Sequence, residues 1–120
     1  GCVPVRIARA QMSVDAILVD DDPLVHMTWE LAAKTSQHTF RGFYSVDEFL
    51  RSADGMDRNT PVYVDRYLGP GEQGDVAARH LNEAGFGEIY VATGDRPEPS
   101  IFPWIKGVRG KNPPWEMPPT

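Results

Sequence analysis

The amino-acid sequence predicts a doubly wound α/β domain: a five-stranded parallel sheet wrapped by helices, with the last two helices reduced or missing. Three observations predict it. Short apolar runs recur along the chain and alternate with helix-patterned stretches, as in βαβ units. The runs are continuously apolar, as strands buried on both faces are. After the fourth run the helical pattern gives way to Pro97, Pro99 and Pro103, and beyond Lys111 stand nine residues, four of them proline. No regular helix fits either stretch.

Taken in order, Ala16-Ile17-Leu18-Val19 is the first strand. Asp22 caps the following helix with Pro23 at its first position, where a missing N–H does no harm. Leu24, Thr28 and Leu31, with Val25 and Ala32, give that helix an apolar stripe to about Thr35. Residues 39–43 form a second strand. Ser45-Val46-Asp47-Glu48 is a capping box that opens a short helix with Val46, Phe49 and Leu50 inward. Residues 61–64 are the third strand, 66–74 a glycine-rich loop, and 75–84 a helix stopped by Gly85. Residues 88–92 and 105–110 are the fourth and fifth strands. Residues 14–114 thus make one domain, 1–13 a linker or vector-derived segment, and 115–120 a proline-rich tail.

Composition narrows the function. A net charge of −5 argues against a nucleic-acid footprint, which is a basic patch. Cys2 is the single cysteine, so no internal disulfide forms, and a reducing cytoplasm is the expected compartment. No apolar run approaches membrane-spanning length, so no membrane contact is expected.

The informative residues stand where the apolar runs end. The first run meets Asp20-Asp21-Asp22, the third Asp65, the fourth Thr93-Gly94 and the fifth Lys111, with Lys106 as a rival. In an open parallel sheet the carboxyl ends of the strands line one crevice, where ligands bind. Carboxylates, a hydroxyl and an ammonium group converging there suit a divalent cation together with a phosphoryl group.

With these residues placed, the chain resembles the receiver domain of two-component response regulators, the CheY-like group of flavodoxin-type folds. Ile17-Leu18-Val19-Asp20-Asp21-Asp22-Pro23 looks like the family's first strand and acidic pair. Val62-Tyr63-Val64-Asp65, followed by Leu68-Gly69-Pro70-Gly71 and Gly74, looks like its phosphoacceptor strand and loop. Ala92-Thr93-Gly94 matches the hydroxyl position, and Lys111 the invariant lysine, with Pro113 displaced by one place. The Ala-Thr-Gly run before a helix-poor stretch is similar to the atypical receivers called the FATGUY group, with Asp95 where that group carries an aromatic residue.

The resemblance implies a non-enzymatic signalling module, either stand-alone or the receiver of a hybrid histidine kinase. Asp65 would accept a phosphoryl group from the phosphohistidine of a histidine kinase or phosphotransfer domain. Mg²⁺ would be held by Asp21, Asp65 and the backbone carbonyl of Tyr67, with Asp20 acting through water. Thr93 and Lys111 would contact phosphoryl oxygens. Val108 stands where the family's switch aromatic belongs, so residues 94–104 are the expected responsive segment. Two alternatives stand beside this one. A pseudo-receiver would keep the fold as an interaction module without taking phosphate. A haloacid-dehalogenase-type phosphatase would use Asp20 as nucleophile, but it needs a late acidic pair, and after Asp95 only Glu98 and Glu116 are acidic.

Overall fold

Apolar runs of four residues become strands here because both faces of the sheet are covered. β1 (Ala16–Val19) and β3 (Val62–Asp65) are buried at every position. β2 (Phe40–Phe43), β4 (Ile89–Ala92) and the short β5 (Gly107–Arg109) complete the sheet. The structure, a computed structural model, describes residues 14–66, 74–94 and 102–115. All five strands are parallel, in the order β2-β1-β3-β4-β5. The chain therefore has the flavodoxin-like topology, in which the strand order switches between β1 and β3. β5 is shorter than its apolar run because the chain turns just before it, with Ile105 N–H donating to Phe102 O.

Three helices pack around the sheet among the described residues. α1 (Pro23–Ser36) starts at Asp22, whose Oδ1 accepts the Leu24 N–H at 2.9 Å, and ends at Gln37 in the left-handed region (φ 61°). α2 (Val46–Arg51) is capped by Ser45 Oγ, which accepts from Glu48 N–H at 3.1 Å. Glu48 Oε1 reaches back one residue past the N-cap, accepting the Tyr44 N–H at 2.9 Å rather than the Ser45 N–H of the expected capping box. α3 (Gly74–Glu83) stops at Gly85, whose φ of +106° favours glycine.

The rotation of α1 differs from its sequence pattern. The Leu24–Thr28–Leu31 stripe faces outward, with Leu24 and Leu31 more than two-thirds exposed, and the buried face carries His26, Trp29 and Ala33. Trp29 decides this: its ring offers the largest apolar area on the helix, and it packs edge-on against Tyr63 at 5.4 Å.

The core lies on the two faces of the sheet. On one, Ile17, Val19, Val62, Val64 and Val91 pack against Phe49 of α2 and Ala78 and Leu81 of α3, with Phe86 beneath. On the other, Ala16, Leu18 and Tyr63 pack against Trp29 of α1. No helix among the described residues lies between β4 and β5 or after β5. Trp115 covers this second face instead, 5.4 Å from Trp29, 6.1 Å from Phe40 and stacked on His38 at 5.3 Å. Trp104 stacks on Phe102 at 4.8 Å and packs on the other core. No described helix is long and apolar enough to cross a membrane.

Candidate functional site

The register of the sheet brings the acidic residues together. β1 and β3 are neighbours with Val19 paired to Val64, so Asp20 and Asp65 leave the sheet side by side. Both are buried, Asp20 at 0% and Asp65 at 3% exposure, while Asp21 is exposed at the rim. Each of Asp20, Asp21 and Asp65 offers a carboxylate oxygen, and these three oxygens lie within 4.8 Å of one another. Thr93, 2% exposed, follows Ala92, the β4 partner of Asp65. The Lys111 ammonium stands 3.2 Å from Asp65 Oδ1 and 3.3 Å from Asp20 Oδ2. The rival Lys106 is turned away and pairs with Glu88 at 3.0 Å. Tyr67, expected to offer its carbonyl, lies outside the described residues, as does most of the 94–104 segment.

The charges do not balance. Burial pushes the Asp20 carboxyl above its ordinary range; the Asp22 N–H, donating to Oδ1 at 2.9 Å, opposes this, and the Asp65 charge adds to it. Burial pulls the Lys111 ammonium down, but Asp20 and Asp65 outweigh it and hold the group above its usual value. Among the described residues, the carboxylates of Asp20, Asp21 and Asp65 thus gather beside the Lys111 ammonium. Asp20 Oδ2 is fully buried and lies 3.3 Å from the Lys111 ammonium. Buried charges are costly unless compensated. A hard cation bound by oxygen ligands alone, as Mg²⁺ is, would offset the remaining carboxylate charge. The donor set therefore fits that ion.

Several residues that support the site carry no signal in the sequence pattern. His26 Nε2 donates to the Asp20 carbonyl at 2.7 Å, and Trp29 Nε1 donates to the Lys111 carbonyl at 3.1 Å. Both look like ordinary helix-face residues when only local spacing is available. Gly74 is more legible, since it ends a glycine-rich loop. A Cβ there would run into the Asp65 carbonyl, and its N–H donates to Arg66 O at 2.6 Å. The start of α3 thus packs directly on the backbone of β3 at Asp65.

Comparison with family models, with curated proteins and with solved structures finds no match to this chain.

Proposed function

We propose that the chain is a phosphoaccepting receiver module that takes a phosphoryl group from a phosphohistidine donor onto Asp65. The single observation that supports this best is the convergence of Asp20, Asp21, Asp65 and Lys111 at the carboxyl edge of the sheet, with the two most buried carboxylates bridged by one lysine. In the transfer, an Asp65 oxygen attacks phosphorus as the phosphorus–nitrogen bond of the donor breaks. The electron pair returns to the imidazole. Such reactions ask a protein mainly for position and charge. Asp65 is held by β3 and by the close approach of Gly74. Lys111 supplies a cation that neutralises the acceptor and follows the charge onto the phosphoryl oxygens. Thr93 offers a hydroxyl at the adjacent strand end. Asp20, Asp21 and Asp65 would hold Mg²⁺, which supplies charge neutralisation and orients the phosphoryl oxygens. The donor is a histidine kinase or a phosphotransfer domain, and the setting is cytoplasmic, in a stand-alone regulator or a hybrid kinase.

Beryllofluoride, a mimic of an acyl phosphate, tests the site directly. In the presence of Mg²⁺ the parent protein should show a bound ¹⁹F resonance, and Asp65→Asn should show none. A bound signal that survives Asp65→Asn would point to Asp20 as the nucleophile and to phosphatase chemistry. No bound signal in the parent would leave an interaction module.

A further inference from the structure

We propose that His26 and Trp29 of α1 are positioning residues that clamp the two halves of the site together, one holding the acidic loop and the other the lysine loop. This rests on the proposed function for what the site binds. The two residues are three apart, so their side chains leave the same face of one helix. His26 is 8% exposed and Trp29 1%. Each spends its ring N–H on a backbone carbonyl of a functional residue: His26 Nε2 on Asp20 O at 2.7 Å, Trp29 Nε1 on Lys111 O at 3.1 Å. The two residues so held are themselves the ion pair at 3.3 Å. One rigid turn of helix therefore joins chain segments from opposite ends of the domain.

The His26 ring has little freedom. A carbonyl only accepts, so Nε2 must carry the proton in this contact. The ring stacks on Tyr44, with centroids 4.2 Å apart at 22°. From the β2 side, Gly42 lies so close that a Cβ would overlap the imidazole. The peptide that His26 holds is fixed on its other side as well, since Asp20 N–H donates to Phe43 O at 3.0 Å. With both ends of the Asp20 backbone tied, its side chain is aimed, and Oδ1 takes the Asp22 N–H at 2.9 Å. That last bond closes the turn carrying Asp21, whose carboxylate lies within 4.8 Å of those of Asp20 and Asp65. Groups that orient ligands without touching the ion commonly govern metal affinity.

The test compares parent, His26→Leu, His26→Gln and Trp29→Phe by titration calorimetry with MgCl₂ and by hydrogen exchange of the Asp22 amide in metal-free buffer. Gln keeps an N–H donor near the Nε2 position; Leu removes it at similar volume. His26→Leu should weaken Mg²⁺ binding roughly ten- to hundredfold, as loss of an orienting partner does. It should also remove protection from the Asp22 amide. His26→Gln should restore both to within about threefold, and Trp29→Phe, which keeps the ring and loses the donor, should weaken Mg²⁺ binding with Asp22 still protected. Parent-like affinity and protection in His26→Leu would overturn the clamp, as would a Gln variant as impaired as the Leu variant. If the parent binds no Mg²⁺, the proposed function falls, and Asp22 exchange still decides whether His26 holds the loop. Should His26→Leu not fold, Gly42→Ala displaces the ring from outside; unchanged Asp22 protection there overturns the proposal.

Discussion

At Asp20 the cost of burying a carboxylate is set against the proposed cation site. Its carboxyl is fully buried, and burial raises its affinity for a proton in the folded state. A carboxyl whose folded pKa is raised penalises folding increasingly as pH climbs through the unfolded and then the folded value, and the penalty is complete above both. Asp20→Asn keeps an oxygen for the Asp22 N–H and removes the charge. In chelator-containing buffer near neutral pH we expect the variant to be more stable than the parent by on the order of 1 kcal/mol. Thermal melts should then reverse their order on adding Mg²⁺, because only the parent has the full carboxylate set for ligand-linked stabilisation. A variant less stable than the parent without metal would show that the Lys111 pairing outweighs the cost of burial. Asp20, Asp21, Asp65 and Lys111 were legible from the sequence because each directly follows or ends an apolar run. The register of β4 against β5 sends Lys106 toward Glu88 and leaves Lys111 beside the carboxylates, a difference that local sequence does not carry.

At the scale of elements, the start of α3 and the first turns of the sheet are the parts most open to test. Gly74 leaves no room for a side chain against the Asp65 carbonyl. Gly74→Ala should cost about 1–3 kcal/mol through overpacking, measured by chemical denaturation. Arg58 ties the loop before β3 to the end of α3. Its guanidinium donates to the carbonyls of Ala53, Met56 and Ala84 at 2.7, 3.0 and 2.9 Å and lies over the Phe86 ring at 4.6 Å. Arg58→Met keeps the apolar stem and should still lose about 1–3 kcal/mol. At the other end of the sheet Asp15 Oδ2 accepts from Thr39 N–H at 3.0 Å and from His38 Nδ1 at 3.1 Å, which joins β1 to β2. These bonds, Thr39 first, lower the Asp15 pKa. A depressed carboxyl stabilises the fold above its unfolded pKa and loses that contribution as pH falls through the folded one. Between pH 7 and acid, Asp15→Asn should therefore lose less stability than the parent; parallel pH–stability curves would contradict this. The caps and turns around these elements were readable from local residue types. The rotation of α1 and the reach of Arg58 were not, because tertiary packing partners decided them.

For the whole molecule, the second face of the sheet is covered by α1 and Trp115 together, with no second helix on it among the described residues. Trp115 takes that place through its ring contacts with Trp29, Phe40 and His38. The prolines around it announced an irregular segment, but which aromatic would cover which face depended on contacts across the whole chain. Because Trp115 is half-buried, Trp115→Ala should cost about 2 kcal/mol, less than a fully buried tryptophan would. The same change removes the packing behind Trp29, so Trp115 and the Lys111 carbonyl share one support. Five parallel strands were foreseeable from run length and alternation, since strands buried on both sides leave an apolar record, whereas the flavodoxin-like order came from the resemblance to receiver domains. The account as a whole turns on one covalent event. Intact mass should be measured for the parent and Asp65→Asn after incubation with Mg²⁺ and a small phosphodonor such as acetyl phosphate. One phosphoryl group added to the parent and none to the variant is the predicted result; equal addition to both, or none to the parent, would contradict it.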